Sequence, residues 1–262
     1  MQRTLAALTL GGLLAGAPAH ADLTITQAIA GKIGPMSMDG ESVTYLKGSR
    51  MRTDSQVNKR NVSTIIDLEK RQFLTLHHDK KEAEVMDMAV VSKSLQEFSA
   101  GVMSVSLTPT GTKKEMLGYS CEEYTVALKV PFQPPKAGGN PDAPVLLIAM
   151  GGPACLSKAA PGQADYAAFY SAAAENGLFI TDPRQAKAAP GQAKGMVEMY
   201  KEMARAGMPL VSEINIAFEG AGPLAGMMSR MGGTKLTSTV TKLSTDAVAD
   251  TVFEIPAGYK VK

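Results

Sequence analysis

The 262-residue chain has no tryptophan, only two cysteines and three histidines, and almost no excess charge. Its 27 Lys and Arg residues nearly balance its 25 Asp and Glu residues, and the formal net charge is +2. Nucleic-acid binding needs a concentrated basic surface, which this composition does not supply. The hydrophobic content of 45% and the charged content of 20% exclude a globally disordered chain. We therefore expect a folded protein that does not bind nucleic acid.

Long hydrophobic runs are lacking except near the N-terminus. Residues 5–16 form an apolar run after Arg3, and the small residues Ala19 and Ala21 precede a cleavage site. A run of about twelve residues is too short to cross a bilayer, whereas this order of features is typical of a secretory signal peptide. We predict that residues 1–21 are removed after Ala21. The mature protein is then expected to be periplasmic or secreted and not integral to the membrane.

Cys121 and Cys155 are the only thiols. An exported chain with two cysteines can pair them in an oxidising compartment, and neighbouring strands would bring these two within reach. Two separate buried thiols are the alternative, because free cysteine is also common in protein cores. Their spacing matches no metal-binding or C-x-x-C motif, so we expect no metal site at these cysteines, and the leading interpretation includes no cofactor.

Alternation of apolar and polar residues predicts an antiparallel sheet with one buried face. A short helix is predicted at 90–98, and the proline-rich segment 131–144 is predicted as a surface loop. Residues 143–156 are interpreted as a buried strand with a turn. The other predicted strands are 62–68, 74–76, 103–107, 124–130, 214–218, 234–243 and 251–255.

Two helix patterns in the second half begin with the same five residues, Ala-Pro-Gly-Gln-Ala, at 160–164 and 189–193. Apolar residues at helical spacing follow each of them. They predict a helical pair inserted at about 160–207, with a further short helix at 223–231. A sheet with one apolar face must cover that face. We therefore predict one α+β domain over 22–262: a curved, mostly antiparallel sheet, an open half-barrel, covered by the inserted helices.

Methionine is abundant, with 16 residues, and many of them lie on the predicted helices. They can be the buried stripe of each helix, or an adaptable lining for apolar ligands and partners, or a thioether site for Cu(I). All three interpretations stay open at this point. The candidate apolar lining of a ligand cavity is Tyr166, Phe169, Met196, Met199, Met203, Met227, Met228 and Met231.

Few residues suggest catalysis. His77 and His78 would point to opposite faces of a strand, and no nucleophile motif accompanies them. We interpret them as a solvated pair at a strand end. Residues 220–226 depart from the spacing of a dinucleotide-binding loop and contain Pro223, so we interpret them as a strand-to-helix turn. The sequence predicts no enzyme.

Several short motifs resemble a single family. They are KGSRMRTD at 47–54, ID at 66–67, GYSCEEY at 118–124 and IPAGYK at 255–260. In this order they resemble the uncharacterised exported bacterial family called domain of unknown function 4412. That family is similar to the lipoprotein carriers of the LolA and LolB type. The resemblance implies an open antiparallel half-barrel that is lidded by helices and holds acyl chains in its concavity, and it implies no catalytic residues.

The basic residues of the first motif allow two interpretations. Lys47, Arg50 and Arg52 alternate along a strand, and Asp54 lies two positions beyond Arg52. They form either a solvated row of salt bridges or a clasp for an anionic headgroup.

The leading functional hypothesis is an exported, non-enzymatic protein that binds or carries a hydrophobic ligand, with a lipid or an acylated protein as its partner. One alternative is a methionine-rich Cu(I)-binding module. The other is a structural or protein-interaction module of the envelope with a filled core. The sequence leaves the oligomeric state open.

Overall fold

The computed structural model describes residues 22–88, 104–132, 146–175, 190–220 and 233–262. These residues form twelve strands, two α-helices and one 3-10 helix, Asp250–Phe253. The predicted signal peptide, the helices at 90–98 and 223–231, most of the loop at 131–144 and most of the turn at 220–226 lie outside them. The strands are β1 (Leu23–Ile33), β2 (Met36–Lys47), β3 (Arg50–Val57), β4 (Arg60–Asp67), β5 (Gln72–His77), β6 (Glu82–Asp87), β7 (Ser104–Met116), β8 (Tyr119–Phe132), β9 (Leu146–Ser157), β10 (Met208–Glu219), β11 (Thr234–Ser244) and β12 (Lys260–Val261), and the helices are α1 (Gln163–Glu175) and α2 (Pro190–Ala206).

All twelve strands belong to one open sheet. Their order is β12-β6-β5-β4-β3-β2-β1-β11-β10-β9-β8-β7, so β12 and β7 are the two edges. Neighbouring strands are antiparallel except β12 and β6, which are parallel. The two helices stand between β9 and β10 in the chain. The predicted α+β class with a large, mostly antiparallel, unclosed sheet is confirmed.

Two local predictions are wrong. The strand predicted at 251–255 is absent, because Asp250–Phe253 is a 3-10 helix and the Val252 carbonyl accepts from an arginine side chain instead of a neighbouring strand. The turn predicted within 143–156 is absent from its described part, 146–156, since β9 runs without a break through Gly151 and Gly152. Strands β8 and β10 pair with β9 on both sides and hold this segment extended.

Glycine is required at several positions where neighbouring strands approach closely, Gly31, Gly40 and Gly151 among them. A Cβ atom at Gly31, Gly40 or Gly151 would overlap a backbone carbonyl oxygen of the neighbouring strand. Backbone atoms held in a sheet cannot move aside as a flexible side chain can. Glycine inside a strand therefore marks a close approach of two backbones, here in β1, β2 and β9.

The helices pack on one face of the sheet, which we call the inner face. Tyr166, Phe169, Tyr170 and Ala173 are the buried residues of α1, and this is the face that the helical spacing predicts. Helix α2 lies directly on β8. The contact is so close that a Cβ atom added at Gly195 would stand only 2.7 Å from Leu128 Cδ1. The inner face and the helices thus enclose the main cores of the molecule.

Cys121 and Cys155 form a disulfide between the neighbouring strands β8 and β9, with their Cα atoms 5.4 Å apart. Both residues are buried, at 1% and 4% exposure, within the largest core cluster. Of the two alternatives that the sequence leaves open, the structure contains the bridge.

On the opposite, outer face, residues 245–259, which we call the C-terminal strap, pack against part of the sheet. Val248 and Phe253 of the strap pack with Ile65, Leu74 and Leu76 in a separate core cluster. The strap is followed by β12, which adds a parallel edge to β6. The C-terminus therefore stabilises the face that the helices leave uncovered.

The basic motif residues hold the strap in place. Lys47 Nζ donates to the Val248 carbonyl at 2.7 Å, and Arg52 Nη1 donates to the Val252 carbonyl at 2.7 Å. Arg50 Nη2 lies 2.5 Å from Asp250 Oδ1. Arg52 also pairs with Asp54 at 2.6 Å, as the salt-bridge interpretation predicts. These cations are engaged by groups of the chain itself, which does not favour a headgroup clasp.

The contact between the strap residue Asp250 and the basic motif should make the stability of the protein depend on pH. Hydrogen bonds from Arg50 and Lys47 hold the pKa of Asp250 below its usual value. A carboxyl group with a lowered folded-state pKa stabilises the fold above its unfolded pKa, and this stabilisation is lost as pH falls through the folded pKa. We expect Asp250→Asn to lower the urea midpoint slightly at neutral pH and to match the wild type at about pH 2. Glu254→Gln, at an exposed carboxylate of the same strap, is the control and should show no such convergence.

Candidate ligand-binding site

A cavity of about 330 Å³ lies between the inner face of the sheet and the two helices. Its floor comes from eight strands that are consecutive in the sheet, from β4 through β1 and β11 to β8. Its roof comes from Tyr166 and Tyr170 of α1 and from Met199, Tyr200 and Met203 of α2.

The floor extends across a wide part of the sheet. Seven spacings between eight flat strands would span roughly 34 Å, at about 4.8 Å each. The cavity of about 330 Å³ reaches all eight of these strands. Register shifts in the pairing of β1 with β11 and of β10 with β9 contribute local bends of the kind that bulges produce.

Aromatic rings of the two helices fix the roof. The Tyr166 and Tyr170 ring centroids are 4.4 Å apart, and the Tyr170 and Tyr200 centroids are 5.9 Å apart. Burial raises the pKa of all three phenols, because the charged phenolate would lose its hydration. The tyrosine hydroxyls therefore stay uncharged and offer the cavity only neutral hydrogen-bonding groups.

The structure brings together part of the predicted lining. Tyr166, Met199 and Met203 line the cavity. Phe169 is buried at 3% exposure and packs edge-on against Tyr170, behind the lining. Met196 is half-buried against the core cluster of β8 and β9. The remaining predicted residues lie outside the described part of the chain, and these are Met227, Met228 and Met231.

The floor contains polar residues that the sequence reasoning missed. Thr44, Thr53 and Thr64 come from β2, β3 and β4, and Ser42 and Gln27 lie beside them. Each is an ordinary strand residue in its own segment. Their convergence depends on the register between strands, which a pattern within one strand does not show.

One charged side chain, Glu213, stands among the described residues that line the cavity. Lys235 Nζ lies 2.8 Å from its carboxylate, and Asn215 Nδ2 donates to it at 3.0 Å. These hydrogen bonds hold the pKa of Glu213 below its usual value, so the carboxylate stays ionised and paired. The cavity is therefore apolar on the roof and mostly uncharged on the floor.

The solvated interpretation of the histidines is wrong for His78. Its Nδ1 lies 2.6 Å from the Tyr259 hydroxyl, and its Nε2 lies 2.6 Å from Ser63 Oγ. Ser63 Oγ also contacts Asp54 Oδ1 at 2.5 Å and accepts from Arg52 at 3.1 Å. Ser63 is fully buried and its hydrogen-bonding capacity is filled, so this network joins the strap to the sheet and does not present a free nucleophile.

Within the described ranges, no group of three or more His, Cys, Asp or Glu residues is arranged to hold a metal ion. Met199 and Met203 are buried at 2% and 5% exposure and pack in the core cluster of β8 and β9. Across the same described residues, neither helix has the length and hydropathy needed to cross a membrane.

Comparison with known proteins supports part of the resemblance. Residues 32–130 match a domain of unknown function, DUF4412. The resemblance to this family is confirmed over that range, which runs from the end of β1 to β8. Residues 255–260, which the sequence analysis added to the resemblance, lie beyond it. No curated protein matches the chain by sequence.

Two solved structures show weak similarity. One is an uncharacterized conserved protein from Thermus thermophilus, with 8% identity, a TM-score of 0.40, and coverage of 93% of this chain and 91% of the other. The second is PNGF-II, with 6% identity, a TM-score of 0.33, and coverage of 91% of this chain and 30% of the other.

The motifs inside the DUF4412 match lie in the strands of the sheet and in the turns between them. Residues 47–54 form the hairpin between β2 and β3 that holds the strap, and residues 118–124 begin β8 and contain one end of the disulfide. Neither motif lies at the roof of the cavity. The matched range therefore contributes part of the cavity floor, including Thr44, Thr53 and Thr64, whereas the cavity roof comes from the helices outside it.

Proposed function

We propose that this protein is an exported, non-enzymatic binding protein that holds a hydrophobic ligand between the inner face of its sheet and its two helices. A lipid, or the acyl chain of an acylated protein, is the proposed ligand class. We place the fold with the open half-barrels of the LolA and LolB type, since both have an antiparallel sheet that stays open and is lidded by helices. The signal-peptide pattern of residues 1–21 supports action in the periplasm or outside the cell.

The cavity is the observation that carries this proposal. Its volume of about 330 Å³ falls within the range of about 300–1,000 Å³ that is usual for small-molecule sites. Its roof is made of tyrosine rings and flexible methionine side chains, which adapt to apolar ligands of different shape. An envelope module with a filled core would have no use for this space. We therefore favour ligand binding over that alternative.

A cavity-filling variant tests the proposal. Ala154 is 2% exposed, lines the cavity from β9 and has no side chain beyond Cβ. Ala154→Leu would place a larger apolar group in the cavity. We expect it to weaken binding of the neutral fluorescent probe phenylnaphthylamine about tenfold or more, measured by fluorescence titration of delipidated protein.

The matched control is Thr125→Leu, which adds the same side chain at an exposed position of the neighbouring strand β8. It should leave probe affinity unchanged. Far-UV circular dichroism and a thermal melt confirm that both variants fold. Equal probe affinity in wild type and folded Ala154→Leu, or no probe binding by the wild type, would contradict the proposal.

A further inference from the structure

Four threonines form one row across the inner face. Strand register pairs Thr44 with Thr53, Thr53 with Thr64, and Thr64 with Thr75, on β2, β3, β4 and β5 in turn. The first three line the cavity, and the Oγ1 atoms of Thr44 and Thr53 lie 3.1 Å apart. We call these four residues the threonine row.

The rows on either side of the threonine row differ in polarity. An apolar row lies two residues further along each strand in one direction. It is buried in the core cluster that also contains the α1 aromatics. That row is Leu46, Met51, Ile66 and Phe73. On the other side, Ser42 and Ser55 stand opposite each other, and Ser42 Oγ lies 3.5 Å from Gln27 Oε1. The inner face therefore changes from apolar to hydroxyl-bearing within two residue steps along each strand.

Threonine is common in strands because its branched side chain suits the pleated surface. Thr44, Thr53 and Thr64 differ from such a surface because they are half-buried and line the cavity. A buried hydroxyl group costs free energy unless it has a hydrogen-bonding partner. Thr44 and Thr53 partner each other, yet each hydroxyl offers one donor and two acceptor positions. The row has unused capacity to bond a polar group of a ligand.

The residues that line the cavity restrict the charge that the polar group of a ligand can carry. Glu213 is the single charged side chain among the described lining residues, and Lys235 and Asn215 already engage it. A charged group brought against the row would lose hydration without gaining an opposite charge. An uncharged group with hydroxyls meets no such penalty and can both donate to and accept from threonine.

We propose that the ligand is a single-chain amphiphile with an uncharged, hydroxyl-bearing end that binds along the threonine row, while its chain lies beneath Met199 and Met203. This inference rests on the proposed function and specifies the ligand class of the same cavity. The polar end faces the hydroxyl rows, and the apolar chain faces the methionines and tyrosines of the roof.

Competition with three amphiphiles of one chain length tests the inference. Monolaurin is uncharged and carries hydroxyls, laurate is an anion, and lauryltrimethylammonium is a cation. Each is used to displace phenylnaphthylamine from the wild type below its micelle concentration. We expect monolaurin to bind about tenfold more tightly than either charged competitor.

The variant Thr53→Val removes one hydroxyl and keeps the branched shape. We expect its monolaurin affinity to fall about five- to tenfold relative to its own affinity for phenylnaphthylamine. Thr108→Val, at an exposed position of β7, is the matched control and should behave as the wild type. Thr64→Val removes the next hydroxyl of the row and gives the same readout if Thr53→Val does not fold.

The outcomes separate the two proposals. Selective loss of monolaurin binding in the row variant supports the inference. Equal or tighter binding of a charged competitor by the wild type, or an unchanged monolaurin affinity in the folded row variants, overturns the inference and leaves the proposed function standing. Failure of the wild type to bind phenylnaphthylamine overturns both.

Discussion

Gly151→Ala is expected to destabilise the protein by at least about 3 kcal/mol, or to prevent folding, because the new Cβ atom would overlap the Val126 carbonyl oxygen. Both groups lie in paired strands, β9 and β8, so neither backbone can move without breaking the ladder. The same two strands carry the disulfide and support helix α2. We expect a large fall in the urea midpoint or loss of folded protein.

Gly233→Ala is the matched control. Its Cβ atom would stand 3.4 Å from the Ile216 carbonyl oxygen, which is an ordinary contact. It should therefore change the free energy of unfolding by less than about 1 kcal/mol. A Gly151→Ala protein as stable as Gly233→Ala would show that β8 and β9 do not approach as closely as described.

Loss of the disulfide is the second large effect. Cys121 and Cys155 are 34 residues apart, so the bridge closes a loop of moderate length in the unfolded chain. The chain-entropy account assigns such a loop about 3–4 kcal/mol of stabilisation. We expect the double variant with alanine at Cys121 and Cys155 to lose that much stability in urea unfolding under oxidising conditions.

Reduction provides the control for this prediction. A thiol reductant should lower the urea midpoint of the wild type to that of the double variant and leave the variant unchanged. If reductant has no effect on the wild type, or if two free thiols titrate in the unfolded oxidised protein, the bridge does not contribute as stated.

Features encoded within one segment are predictable from the sequence. The buried face of α1 is visible because Tyr166, Phe169, Tyr170 and Ala173 repeat at helical spacing. Strand β8 is visible because alternate residues from 124 to 130 are apolar. Periodicity reports which face a local element buries, and it does so without knowledge of the partner.

Features that depend on distant partners are not predictable in this way. The Tyr259 hydroxyl that bonds His78 is 181 residues away in the chain. The segment 251–255 contains β-branched and aromatic residues that favour a strand, yet the Val252 carbonyl bonds to Arg52 and the Thr251 carbonyl accepts from within the 3-10 turn. Tertiary contacts therefore override the local preference.

The candidate site also combines residues that the sequence predicts with residues that it does not. The roof residues Met199 and Met203 are predictable because a helix places residues four apart on one face. The threonine row escapes prediction because each member is a typical strand residue, and only the register of four strands brings them together. Recognising such a row needs the pairing partners of each strand in addition to its own pattern.

The most direct test of ligand binding is native mass spectrometry of the protein purified without detergent, beside Ala154→Leu prepared in the same way. We predict an adduct of one organic molecule on the wild type, released by solvent extraction and reduced or absent on the folded variant. A wild-type spectrum that shows only the mass of the bare chain, with no uptake of an added acyl compound, would contradict the account.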